Sequence, residues 1–154
     1  MTEIAAATLR LLVLERTATR DATMPTRVMI VEDDLHIALL LQYNLEAAGF
    51  DVAHVDRGDA AESSINERVP DLLLLDWVLP GVSGIELCRR IRKQPATSLL
   101  PIIMLTARTE RADREFATRM GANEFMTKPF AVGEVLARIR SLLASLSLQT
   151  ASPA

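Results

Sequence analysis

Four apolar runs in this chain end on polar residues whose chemistry fits together. Val28-Met29-Ile30-Val31 leads into Glu32-Asp33-Asp34, Leu72 to Leu75 into Asp76, Ile102 to Leu105 into Thr106, and Glu124-Phe125-Met126 into Thr127-Lys128-Pro129. A lone aspartate after a strand is as readily a turn cap as a reactive group, so Asp76 acquires meaning only in company. The carboxylates of Glu32, Asp33 and Asp76, brought to one place, repel one another and persist only beside a compensating positive charge. Lys128 is one compensator. A divalent metal is the other, because hard oxygen donors with solvent access suit an open magnesium site that keeps several waters. The Thr106 hydroxyl could then donate to an anion bound between metal and lysine.

Whether these residues meet depends on the elements that carry them. Short apolar runs closed by turn residues read as strands buried on both faces, which belong in a parallel sheet covered by helices. Between them the spacing predicts a helix over Leu35 to Ala48, with Ile37, Leu41, Leu45 and Ala48 on one face and Gly49 closing it. Further helices are predicted from Arg57-Gly58-Asp59 to Arg68, over Ile85 to Arg92, from Arg111 to Met120 with Gly121 as the stop, and from Val132 to Leu146. Asp51 to Val55 supplies the remaining strand. Strands and helices alternating with such short connections predict an α/β fold, a flavodoxin-like (βα)5 doubly wound parallel sheet of strand order 2-1-3-4-5. That order puts the ends of the first and third strands side by side at the switch point where ligands bind, so Glu32, Asp33 and Asp76 should converge.

Composition bounds the rest. A chain of 154 residues, 49% hydrophobic and 24% charged, predicts one full-sized globular domain. We divide it into an N-terminal extension over 1–25, a domain over 26–146 and a C-terminal tail over 147–154. In the extension Ile4, Leu9, Leu11, Leu12, Val13 and Leu14 could form a short apolar helix, followed by a linker-like stretch, and a second methionine, Met24, precedes the first strand. A net charge of −3 without a compact basic cluster argues against direct nucleic-acid binding. No window reaches the roughly 20 apolar residues needed to span a membrane, and no basic-then-apolar leader opens the chain. The single cysteine, Cys88, allows neither an internal disulfide nor a cysteine-based zinc site, which fits a small apolar filler in a reducing cytoplasm.

Taken together, Val31-Glu32-Asp33-Asp34, Leu75-Asp76-Trp77-Val78-Leu79-Pro80-Gly81, Leu105-Thr106-Ala107-Arg108 and Thr127-Lys128-Pro129-Phe130 resemble the receiver domain of two-component response regulators. Any one motif is weak; four in order, each closing its own strand, are specific. Leu74-Leu75-Asp76-Trp77 and Ile103-Met104-Leu105-Thr106-Ala107-Arg108 are most similar to the phosphate-regulon type of the winged-helix branch, here without a DNA-binding domain. The resemblance implies that Asp76 is phosphorylated by a sensor histidine kinase or a phosphotransfer protein. It further implies Mg2+, or Mn2+ in its place, on Asp33, Asp76 and the Val78 carbonyl, with Glu32 acting through water. A cis bond before Pro129 would aim Lys128 inward. Thr106 would move onto the phosphoryl group and Phe125 would turn into the space it leaves, changing the face formed by the fourth helix, fifth strand and fifth helix. Many relatives have tyrosine where this chain has Phe125, so any hydroxyl contact is lost; an ordinary core aromatic is the other reading of that residue. The resemblance also implies a phosphoacceptor domain that assists its own phosphorylation and dephosphorylation only and is otherwise not an enzyme. Val78 and Arg108 would flank the site and slow hydrolysis by excluding water.

The expected partners follow from the same resemblance. The given sequence favours a single-domain regulator, with output through protein contact or phosphorelay, over an excised receiver. His36, Leu39, Leu40 and Tyr43 on the first helix form a candidate kinase-docking surface, unless that helix is simply apolar throughout. A homodimer through the last helix is expected, using Leu136 and Leu143, with Arg114–Glu134 and Glu124–Arg138 as the ion pairs of the branch. Glu115, Thr118 and the like charges Arg119 and Arg140 disfavour the branch's usual geometry, and a monomer whose tail packs back on the domain is the alternative. Three other functions compete. A flavin-mononucleotide binder would need a phosphate-cradling loop where Glu32-Asp33-Asp34 stands. A phosphatase or phosphotransferase using Asp76 would need a substrate pocket. An adaptor pseudo-receiver would lack one of the key residues.

Overall fold

The computed structural model describes residues 24–151. The expectations for residues 1–23 and 152–154 lie outside the described residues. The elements are β1 (Arg27–Val31), α1 (Leu35–Ala47), β2 (Asp51–Val55), α2 (Gly58–Glu67), β3 (Leu72–Asp76), α3 (Gly84–Lys93), β4 (Ile102–Thr106), α4 (Arg111–Met120), β5 (Glu124–Thr127) and α5 (Val132–Ala151). The five strands are all parallel and ordered β2-β1-β3-β4-β5, as the alternation predicts.

Two apolar layers hold the sheet, and the alternation of each strand sorts its residues between them. Val28, Ile30, Leu72, Leu74, Ile103, Leu105 and Met126 meet Leu41 and Leu45 of α1 and Val135, Ile139 and Leu142 of α5. Met29, Val31, Leu73, Leu75, Ile102 and Met104 meet Ala61 and Ile65 of α2, Leu87, Cys88 and Ile91 of α3, and Ala117 of α4. The central strand β3 is buried along its full length, which is why it reads as a continuous leucine run rather than an alternating one. Cys88 is the small filler expected: it is buried, its Sγ lies 3.4 Å from the Met120 carbonyl, and burial pushes its thiol up to about 11.

Local signals set the helix ends. Asp34 stands at the N-cap of α1, its Oδ1 accepting the His36 and Ile37 amides at 2.9 and 3.3 Å. Ser83 caps α3 in the same way, through the Glu86 amide at 3.2 Å. Gly49 and Gly121 follow α1 and α4 at φ of +96° and +111°, a backbone region where a side chain is strained.

Three sequence expectations shift. The inward face of α1 is Ala38, Leu41 and Leu45, while Ile37 and Ala48 are only half-buried. A mostly apolar helix has no sharp stripe, so the packing rather than the pattern chooses its inner face. Helix α5 continues to Ala151, so residues 147–151, assigned to a tail, are helical; Ser145, Ser147 and Gln149 carry no stop signal. Finally, β5 extends one residue further than expected, through Thr127.

Leu74 is fully buried and packs between α1 and α5 through its neighbours. Leu74→Ala is therefore expected to lower unfolding free energy by about 2–5 kcal/mol in a urea titration, with an unchanged slope.

Candidate functional site

The register explains why the predicted residues converge. Val31 lies beside Leu75 and Asp76 beside Leu105, so β1, β3 and β4 end at nearly one level. Glu32 and Asp33 follow β1 directly, and Lys128 follows β5, whose Thr127 lies beside Thr106. One carboxylate oxygen from each of Glu32, Asp33 and Asp76 lies within 4.8 Å of the other two. Lys128 Nζ donates to Glu32 Oε2 at 2.8 Å and to Asp76 Oδ2 at 3.0 Å. The Lys128–Pro129 bond is cis, as the resemblance implied.

The acids differ in setting. Glu32 is 1% exposed and Asp76 7%, whereas Asp33 is open to solvent. Burial pushes the Glu32 carboxyl up to about 7, against the opposing pull of the Lys128 hydrogen bond, and the neighbouring Asp76 charge adds to the rise. Burial alone would lower Lys128, but its hydrogen bonds to Glu32 and Asp76 outweigh that and hold it above its ordinary value. Hard oxygen donors carrying more negative charge than one lysine offsets make a fitting seat for a small divalent cation.

Backbone contacts aim these groups. The Asp34 amide donates to Glu32 Oε1 at 3.2 Å, and the Val78 amide to Asp76 Oδ1 at 3.4 Å. His54 Nε2 lies 2.8 Å from the Glu32 carbonyl, so this strand histidine ties β2 to the acid loop. The Gly84 amide donates to the Trp77 carbonyl at 2.8 Å, and a Cβ on Gly84 would sit 1.9 Å from the Asp76 carbonyl oxygen. Only glycine lets α3 start this close beneath the site.

Thr106 is 1% exposed, and its Oγ1 accepts the Arg108 amide at 3.1 Å. The Arg108 side chain, expected to flank the site, lies with its guanidinium 4.6 Å over the Trp77 ring and pairs with Asp113 at 3.4 Å. Val78 is exposed beside the site. Trp77 is the functional neighbour that sequence reasoning missed: its ring is T-shaped to Phe125 at 6.5 Å and tilted to Phe116 at 6.1 Å. Its one available signal was its position, directly after Asp76.

The residues expected at an interface lie apart from this pocket. Arg114, Glu124, Phe125, Glu134 and Arg138 line one groove of about 410 Å³ between α4, β5 and α5. Within it Arg138 pairs with Glu124 at 3.0 Å inside the same chain, and Arg114 lies 5.5 Å over the Phe125 ring. Leu136 and Leu143 are half-buried against the chain's own core. On α1, Leu39, Leu40 and Tyr43 are exposed, as is His36.

Residues 28–140 match the response regulator receiver domain model. The chain belongs to the response regulator receiver family. It is 52% identical over 120 residues to the phosphate regulon transcriptional regulatory protein PhoB of Rhizobium meliloti, covering 78% of this chain and 53% of that protein. It therefore spans about half the length of the curated relatives it matches. Among solved structures, the BeF3-activated N-terminal receiver domain of Klebsiella pneumoniae RstA superposes with a TM-score of 0.72 at 36% identity, covering 77% of this chain and 98% of that one. The receiver domain of the Pseudomonas aeruginosa sensor histidine kinase PA1611, solved with a magnesium ion coordinated in its active site cleft, gives 0.73 at 29%, covering 79% and 99%. This is a receiver domain of a two-component system, homologous to PhoB-type regulators. Among the described residues no helix is long and apolar enough to cross a membrane.

Removing the lysine leaves Glu32 buried beside Asp76 without its cation. Lys128→Met in metal-free buffer at neutral pH is expected to cost about 1–3 kcal/mol of stability by urea unfolding.

Proposed function

We propose that the receiver accepts a phosphoryl group on Asp76 from a sensor histidine kinase or phosphotransfer protein, using magnesium or manganese, and that this changes its α4–β5–α5 face. The observation that carries the reading is Lys128 Nζ bridging Glu32 and Asp76, with Asp33 completing the acid cluster. An Asp76 carboxylate oxygen is the nucleophile: it bonds phosphorus as the phosphorus–nitrogen bond to the donor imidazole breaks. Charge spreads over the phosphoryl oxygens during that exchange, so positioning and electrostatics carry the catalysis.

Asp33, Asp76 and the Val78 carbonyl would hold the cation, with Glu32 acting through water, and the cation when bound supplies positive charge to those oxygens. Lys128 neutralises a second oxygen from the opposite side. Thr106 donates its hydroxyl to a third, and Phe125, already against Trp77, follows the movement of Thr106. Leu39, Leu40 and Tyr43 of α1, with His36, offer the kinase an exposed apolar surface. Exposed side chains at the carboxyl edge, rather than a substrate pocket, favour a signalling role over a phosphatase.

Incubation with acetyl phosphate and magnesium is expected to add the mass of one phosphoryl group to the wild type. Asp76→Asn should show no addition, and chelating the metal should suppress it. Addition to the Asn variant at the wild-type level would refute the assignment of Asp76.

The reading also includes a homodimer through α5. Its support is the apolar content of that helix, where Leu148 is exposed and Leu136 and Leu143 keep part of their surface open. Because Glu124 and Arg138 pair within the chain, the contact should centre on α5 and not on ion pairs across α4 and β5. Small-angle scattering at several concentrations is expected to give the mass of two chains; a single-chain mass throughout would remove the dimer.

A further inference from the structure

Arg108 makes three contacts that join elements the phosphoryl-transfer reading uses separately. Its amide donates to Thr106 Oγ1 at 3.1 Å, its guanidinium stacks 4.6 Å over the Trp77 ring, and its NH1 pairs with Asp113 in the first turn of α4 at 3.4 Å. Trp77 is 7% exposed and follows Asp76 directly, so its ring is a fixed platform rather than a mobile surface group. A planar guanidinium on such a platform is held by ring quadrupole and dispersion together. The same residue thus carries a side chain held on Trp77 and a backbone amide that meets Thr106.

That amide has a chemical consequence. A hydroxyl that accepts a hydrogen bond from an N–H keeps its own proton for another acceptor. With one lone pair of Thr106 Oγ1 engaged by the Arg108 amide, the hydroxyl is oriented as a donor. Thr106 sits on β4, beside β3 in the sheet and one position past Leu105, the register partner of Asp76.

We propose that Arg108 is a positioning residue for phosphoryl transfer, locked on Trp77 so that its backbone presents the Thr106 hydroxyl as a donor to the phosphoryl group on Asp76. The inference rests on Asp76 being the phosphoacceptor. It assigns Arg108 a role different from shielding the site from water, because its guanidinium lies over the indole and pairs with Asp113.

The test is a double-mutant cycle read by the rate of Asp76 phosphorylation with acetyl phosphate at saturating magnesium, followed by intact mass. Arg108→Ala is expected to slow the reaction about tenfold, since a displaced hydrogen-bond donor costs rate without removing the reacting groups. In a Thr106→Ala background the same substitution is expected to change the rate less than twofold, because the hydroxyl through which it acts is gone. Arg108→Lys keeps the charge but not the planar stack, and is expected to be nearly as slow as Arg108→Ala. Magnesium affinity by calorimetry should stay within twofold of wild type in both variants. The Arg108 side chain is about half-exposed, so neither substitution opens the core. A wild-type rate in Arg108→Ala, an equal loss in both backgrounds, full activity in Arg108→Lys or a lost magnesium affinity would each overturn the role of Arg108 while leaving Asp76 as the acceptor. A wild-type protein that takes no phosphoryl group would instead overturn the underlying assignment, and this inference with it.

Discussion

Two buried carboxylates stay close in a folded protein only when a cation lies between them or one of them takes a proton, and Lys128 supplies the cation here. Glu32 and Asp76 come from the ends of adjacent strands, so the fold forces their proximity. Lys128 starts two strands further on, after β5, and must reach past the end of β4 to touch both. Thr106, a short side chain, stands at that end, beside Thr127 in the register. The lysine offsets only part of the charge, since Asp33 joins the cluster from the solvent side. The residual negative charge is what suits the cluster to a divalent cation, while Glu32 rises to about 7 chiefly through its burial, with the neighbouring Asp76 charge adding to it.

Everything near this cluster is arranged to keep those groups at one level of the sheet. Asp34, the third acid of the first run, takes no part in the cluster: its side chain caps α1 while its amide holds Glu32. The loop after β3 is drawn close beneath the site because Gly84 brings the first turn of α3 against the Asp76 carbonyl. A companion approach joins α2 to the same loop, where the Gly58 amide donates to the Pro80 carbonyl at 3.2 Å. The leucines of β3 supply the rigidity behind this, packed into both layers with almost no exposed surface. A site built from strand ends inherits the stiffness of the sheet, while Asp33 and Val78 in the loops that follow remain open to solvent.

A second set of contacts leads away from the acids. Trp77 touches Phe116 of α4 and Phe125 of β5, and arginines lie over all three rings: Arg108, Arg119 and Arg114. The residue after Asp76 is thus in ring contact with the two elements whose face lines the groove. Packed rings connect the residue after Asp76 with that groove.

Much of this was legible from the chain alone, because the information was local. Continuous apolar runs marked buried parallel strands, glycines at 49 and 121 marked helix ends, and five alternating strands favoured one order, so the meeting of Glu32, Asp33 and Asp76 followed from position, with Lys128 as an available compensating charge. Other features were not local. Nothing in the pattern of a mostly apolar first helix said that Ala38, not Ile37, would lie inward, or that α5 would continue to Ala151. Arg108 stood at the right spacing to flank the acids, yet a buried indole one strand away offered its guanidinium a better partner. Residue order determined which strand ends carry acid, hydroxyl and amine, because hydrophobic periodicity is written along the chain. Tertiary structure alone decided which side chains those groups touch, because burial, stacking and ion pairing depend on neighbours that the chain brings together only when folded.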